Sequence, residues 1–204
     1  MKIEKIRLYN FMRYKGEMEI NFSCDDEKNV TVILGDNTFG KTTIAQAFRW
    51  GLYGRVKTTN YTENIKDIVL LNREVISGMS YSKTETVRVE IFVWDNGKKY
   101  EIVRSQEFRK NTSDENNYSV KPEKANLLVR IDGKEQKSKH SDYQSIINEL
   151  FPENLSDYLF FDGERWSASN SKAEDIENSI NLILGIKTFV KMMDHLKDGS
   201  DGYK

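Results

Sequence analysis

Residues 30–54 read VTVILGDNTFGKTTIAQAFRWGLYG. The stretch opens on Val30, Val32, Ile33 and Leu34, a near-continuous apolar run of the kind that forms a strand buried on both faces in a parallel sheet. The next nine positions, GDNTFGKTT over residues 35–43, match G-x-x-x-x-G-K-[ST]. That pattern cradles phosphate when it follows a buried strand and opens a helix. The second flank is also present: Ile44, Ala47, Phe48 and Leu52 recur at helical spacing from residue 42 to about residue 53, and Gly54 supplies the stop.

Each residue of the loop has a role in this reading. Gly35 and Gly40 let the backbone curl so that successive amides point inward at phosphate oxygens, with Asp36, Asn37, Thr38 and Phe39 between them. The helix N-terminus adds a field that favours negative charge. Lys41 reaches the β- and γ-phosphates, the Thr42 hydroxyl coordinates Mg²⁺, and Thr43 caps or contacts the α-phosphate. The cofactors expected are therefore ATP and Mg²⁺.

Upstream, Met18, Ile20 and Phe22 alternate with polar residues and Ile6 and Leu8 repeat the pattern, so residues 1–22 read as two strands joined by a turn at NFMRYKG. Arg13 in that turn either touches phosphate or adenine or is a solvated arginine, and Tyr14 and Lys15 could share its role. Downstream, residues 55–85 are polar and irregular around one apolar patch at residues 68–71. Val87, Val89, Ile91 and Val93 then alternate into an Asp-Asn-Gly hairpin, and residues 100–104 return. Residues 105–125 read as a mobile loop, LLVRIDGKE as a strand ending in a turn, and Tyr143, Ile146, Ile147, Leu150 and Phe151 as one face of a helix. Arg104 and Arg165 read as surface or salt-bridge residues.

A second motif is YLFFDGE over residues 158–164. In one reading it is a Walker B strand in which Asp162 holds Mg²⁺ and Glu164 polarises the attacking water. In another it is a loop beside the γ-phosphate that senses nucleotide. A plain strand followed by an Asp-Gly turn is the third. Ser171 to Glu174 resembles a capping box opening a helix whose apolar face is Ile176, Ile180, Ile183 and Leu184; Gly185 interrupts it, and a last helix runs through Phe189, Val190 and Met193.

The chain has 204 residues, 31 Lys and Arg against 32 Asp and Glu, and a net charge of −1. This balance neither announces nor excludes nucleic-acid binding, because a local basic patch can sit on a neutral protein. The single cysteine, Cys24, and two distant histidines, His140 and His195, offer no disulfide or metal cluster. No apolar run spans a bilayer and none resembles a signal peptide, so the expected location is cytoplasmic with no membrane partner.

In this order, these pieces resemble the SMC and recombination-repair superfamily of ABC-type ATPases. KIEKIRLYNFMRYKGEMEINF is similar to that family's opening hairpin, VTVILGDNTFGKTTIAQAFRWGLYG to its Walker A strand, loop and helix, and VRVEIFVWDNGKKYEIVRS to its antiparallel β-subdomain. FPENLSDYLFFDGERW resembles the Q-loop segment of the DndD-like and Lamassu SMC-like antiphage branch. The resemblance implies an α/β P-loop NTPase lobe, with a mixed sheet around the Walker A helix and an antiparallel β-subdomain whose strands lie within residues 1–35 and 86–131. It implies a lobe over residues 1–185, the root of a coiled coil over 186–197 and a tail over 198–204.

It also implies an ATPase whose catalytic set here is Lys41, Asp162 and Glu164, with Thr42 and Asp162 on the metal. No Ser-Gly-Gly signature and no later hhhhDE strand is found, so this lobe alone is expected to be nearly inactive. The implied partners are the C-terminal half of the head, a second head engaged through ATP, DNA, and a nuclease or effector subunit. Two departures stand out. Asp162 replaces the usual glutamine, and Met12 occupies the position where many relatives carry the nucleotide-contacting arginine, with Arg13 one residue later. The competing readings are a self-contained P-loop NTPase or kinase using Asp162 and Glu164 as a Walker B pair, a transporter nucleotide-binding subunit, and a nucleotide-locked interaction module.

Overall fold

The computed structural model describes residues 1–36, 39–56, 69–113, 119–136 and 140–156. The chain divides into two units, residues 1–151 and 152–204. The first is built on one sheet. Its strands are β1 (Lys2–Tyr9), β2 (Glu17–Asn21), β3 (Thr84–Asp95), β4 (Lys98–Lys110), β5 (Val120–Ile131) and β6 (Lys134–Glu135), in the spatial order β2-β1-β3-β4-β5-β6. Every pairing among them is antiparallel. The mixed sheet that the sequence led us to expect is therefore not found among the described residues.

Alternation decides the two faces of the sheet. Ile6, Leu8, Val87, Val89, Ile91, Val93, Ile102 and Val129 are fully buried on one face. Against it pack the helices α1 (Lys41–Tyr53), on β3 and β4, and α3 (His140–Leu150), on β5. Each such aliphatic side chain contributes about 1.5–3 kcal/mol by leaving water. The opposite face carries charges that neutralise one another across strands. Glu19 on β2 accepts from Arg7 at 2.5 Å and Lys5 at 3.1 Å on β1. These bonds, that of Arg7 first, hold its carboxyl down at about 2. Lys5 and Arg7 also lie over the Phe92 ring, at 5.0 and 5.3 Å from its centroid.

The turns follow from local chemistry. Asn96 and Gly97 both have positive φ, 47° and 76°, as a two-residue primed hairpin requires. Asp132 and Gly133 repeat the pattern, at 50° and 75°, between β5 and β6. β6 meets only Arg130 and Ile131 of β5. Upstream of Arg130, β5 therefore has a strand partner on one side only among the described residues, and Pro122 fits there because an edge position does not need its missing N–H.

Two expectations are corrected. Residues 105–125 are not one long loop. β4 runs on to Lys110 and β5 starts at Val120, with Phe108 buried and Arg109 paired to Glu123 at 2.6 Å. A polar ribbon is stable here because cross-strand hydrogen bonds and ion pairs replace the apolar alternation that sequence reading relies on. Residues 30–35 form no strand with any described residue. Val30, Val32 and Leu34 are 77%, 72% and 89% exposed. A central strand exists only through neighbours that satisfy its backbone, and none of the described residues supplies them.

A short helix, α2 (Arg73–Gly78), lies within the stretch expected to be irregular. Asn72 caps it, accepting from the Glu74 and Val75 amides at 3.0 and 3.3 Å. The second unit begins at Pro152, and its described residues form one 3-10 turn, Glu153–Leu155.

Gly51 marks the closest approach of α1 to the sheet. A Cβ there would lie 2.8 Å from Ile91 Cδ1 and 3.0 Å from Val89 Cγ1. Gly51→Ala should therefore lower stability by about 1 kcal/mol, overpacking of about 1–3 kcal/mol outweighing a helix-propensity gain of about 1 kcal/mol. The urea midpoint reads the sign.

Candidate functional site

The site is assembled at the N-terminus of α1. Gly40 is its N-cap, in the left-handed region at φ 96°, and no side chain caps the helix. The Gly40 carbonyl accepts from Ile44 N–H at 3.2 Å. Among the described residues, the Lys41, Thr42 and Thr43 amides at this end meet no acceptor, leaving a row of N–H donors at the positive pole of the helix. Lys41 and Thr42 are exposed and Thr43 is buried. Phe39 is also exposed, its amide weakly engaged with the Asp36 carbonyl at 3.4 Å. The Lys41 ammonium folds back over the loop and donates to the carbonyls of Gly35 and, at 2.9 Å, Asp36. Gly35, Asp36, Phe39, Gly40, Lys41, Thr42 and Thr43 are thus brought together. Asn37, Thr38, Asp162 and Glu164 lie outside the described residues, as do Arg165, His195 and the expected coiled-coil root.

The turn between β1 and β2 leans on this mouth. The Tyr14 hydroxyl donates to the Gly40 carbonyl at 3.2 Å, and burial pushes its phenol pKa up. The turn is itself stapled to the strip before α2. Phe11 bridges to Leu71, Met12 N–H donates to the Leu70 carbonyl at 2.6 Å, and Asn72 Nδ2 donates to the Met12 carbonyl at 2.8 Å. Asn10, buried at φ 52°, accepts the Gly16 N–H at 2.9 Å. Arg13 is exposed on this turn, and Lys15 pairs with Glu74 at 3.2 Å. Phe11 and Trp50 pack as tilted rings with centroids 5.6 Å apart, joining the turn to α1.

The other end of α1 is held by a residue that reads from sequence as a surface or salt-bridge arginine. Arg104 is buried on the inner face of β4. It donates to the Gly51 carbonyl at 3.0 Å, the Leu52 carbonyl at 3.2 Å and Gln144 Oε1 on α3 at 3.1 Å. Gln144 Nε2 donates to the same Leu52 carbonyl at 3.1 Å. Burial lowers the guanidinium to about 10, so it remains a cation at neutral pH. The alternation of Ile102 and Arg104 in β4 already puts Arg104 on the inward face. Nothing local marks Tyr14 as a neighbour of Gly40.

This mouth can accept an anion with several oxygens. Amides of a glycine-flanked loop, a helix pole, a lysine and a free-facing threonine are the donor set of a polyphosphate site. The donor set fits a triphosphate. For a metal, Thr42 is the one proposed ligand among the described residues, which contain no cluster of acidic, histidine or cysteine side chains fit to hold an ion. No helix among them is long and apolar enough to cross a membrane.

Comparison with known proteins agrees with this class. The AAA domain family matches residues 5–199, nearly the whole chain. The chain belongs to that family and, with it, to the SMC/RecF group of P-loop ATPase domains. It is 31% identical over 105 residues to the DNA replication and repair protein RecF of Clostridium kluyveri, across 48% of this chain and 26% of the relative. It is 30% identical over 104 residues to the proteins of that name from Listeria welshimeri and Listeria innocua, across 50% of this chain and 26% of each. The matched region spans about a quarter of the length of these relatives.

Arg104→Met should cost about 1.5–3 kcal/mol, because the Gly51 and Leu52 carbonyls lose a charged donor. Arg104→Lys should recover less than half of that loss, since a single ammonium nitrogen cannot span acceptors that Nε and Nη2 reach separately. Denaturant unfolding of the two variants measures both.

Proposed function

We propose that the chain is the ATP- and magnesium-binding N-terminal lobe of an SMC-like ATPase head that dimerises on ATP and clamps or senses DNA, in DNA repair or antiphage defence. The observation that carries this reading is the row of amides behind Gly40 that meet no acceptor among the described residues, at the mouth of α1 within a sequence that matches the Walker A pattern.

In this reading the Lys41, Thr42 and Thr43 amides receive phosphate oxygens. The Lys41 ammonium exchanges its two carbonyl partners, those of Gly35 and Asp36, for the β- and γ-phosphates. Gly35, Asp36, Asn37, Thr38 and Phe39 wrap the triphosphate, and Arg13 approaches it from the neighbouring turn. Thr42 and Asp162 hold the magnesium ion, which when bound offsets phosphate charge. Glu164 orients the attacking water. Asp162 and Glu164 enter on the sequence motif and the family resemblance.

Exposed Val30, Val32 and Leu34 support a lobe completed by further strands, and the C-terminal half of the head is the proposed source. DNA would be held through its phosphates across two engaged heads, without base readout. The RecF relatives favour repair, and the Phe-Phe-Asp-Gly-Glu-Arg run over residues 160–165 favours the antiphage branch. A nuclease or effector subunit is the proposed downstream partner.

Lys41→Ala should weaken ATP binding at least a hundredfold, because it deletes the cation that offsets the triphosphate. Isothermal titration showing unchanged affinity would refute the P-loop assignment. Asp162→Asn should shift the magnesium dependence of binding more than the affinity at saturating magnesium. A magnesium titration that overlays the wild type would remove Asp162 from the metal site. The isolated lobe should bind ATP with almost no turnover, whereas brisk hydrolysis by this chain alone would favour a self-contained NTPase.

A further inference from the structure

We propose that Tyr14 is a positioning residue for polyphosphate binding, acting through the peptide that joins Gly40 to Lys41. The inference rests on the P-loop reading above and names a component that the Walker A pattern does not contain.

The argument begins with the peptide plane. The Gly40 carbonyl has two donors, Ile44 N–H and the Tyr14 hydroxyl, both at 3.2 Å. A trans peptide is rigid and its C=O and N–H point in opposite directions. Fixing the Gly40 carbonyl toward the helix and Tyr14 therefore fixes the Lys41 N–H toward the mouth. That amide is the first of the row without an acceptor among the described residues. Gly40 needs such a hold, because a glycine at φ 96° has wide backbone freedom and no side chain caps this helix.

The contact is close as well as polar. A Cβ built on Gly40 would lie 2.9 Å from Tyr14 Oη and 3.1 Å from Cζ, so the phenol end lies directly against the glycine. Tyr14 is in turn anchored, its own N–H donating to the Phe11 carbonyl at 2.9 Å in a turn bonded to Leu70, Leu71 and Asn72. The hydroxyl is thus delivered from a fixed base rather than from a free loop. Burial raises its pKa and so disfavours the phenolate further, in line with the hydroxyl as donor.

Tyr14→Phe removes the hydroxyl and keeps the ring. In the intact protein it should weaken ATP–Mg²⁺ binding about threefold to tenfold, the range expected for loss of one neutral hydrogen bond. The melting temperature should stay within about 2 °C, and the Lys41 amide resonance in a nitrogen–proton correlation spectrum should move. Wild-type binding with an unchanged Tyr14→Phe affinity overturns this inference alone. Weakened binding with an unmoved Lys41 resonance, or a fall in melting temperature that accounts for the loss, assigns Tyr14 a packing role and also overturns it. If the wild type does not bind ATP, the P-loop reading fails and this inference fails with it.

Discussion

A buried guanidinium sets the position of everything else in the first unit. Arg104 projects from the middle of the sheet into the last turn of α1, where backbone carbonyls concentrate negative charge. Its charge would be costly to bury alone. The Gly51 and Leu52 carbonyls and the Gln144 side chain offset that cost, and in doing so tie β4, α1 and α3 together. The bond works only because α1 comes close to the sheet, and that closeness depends on Gly51 having no side chain.

The same helix is secured at its opposite end by different chemistry. There the turn after β1, itself fastened to residues 70–72, presses a tyrosine against Gly40. α1 is therefore a strut with two fixed ends, and its N-terminal amides are aimed by the sheet rather than by the loop alone. Fixed donors bind an anion better than mobile ones, because less ordering is required on binding. Lys41 meanwhile donates to the loop's own carbonyls, which holds its cation at the mouth.

Much of this was legible in the sequence, and the failures have identifiable causes. The hairpin of residues 1–22, the α1 helix with its Gly54 stop, the Asp-Asn-Gly turn and the amphipathic α3 all announced themselves through period and turn chemistry. Gly54 adopts φ 72° and its N–H meets the Trp50 carbonyl at 2.8 Å, as a left-handed stop should. The extension of β4 and β5 was hidden because its side chains are polar and its stability comes from the partner strand. The exposure of residues 30–34 was hidden for the opposite reason: an apolar run states a need for burial and not where the cover comes from. Arg104 was misread because charge outweighed alternation in the reading, although Ile102 two residues earlier fixed its face. Tyr14 was named with Arg13 as sharing a phosphate or adenine contact, but its bond to the Gly40 carbonyl was hidden, since it joins positions 26 residues apart.

The uneven pairing of β5 carries a consequence for behaviour in a crowded solution. A strand with an uncovered rim can recruit an identical strand from another molecule, the first step toward insoluble aggregates. Among the described residues, Lys121 and Lys124 place repelling charges along that rim, and Pro122 brings no N–H donor to it. The polar ribbon that obscured the strand from sequence reading thus also guards it against self-association.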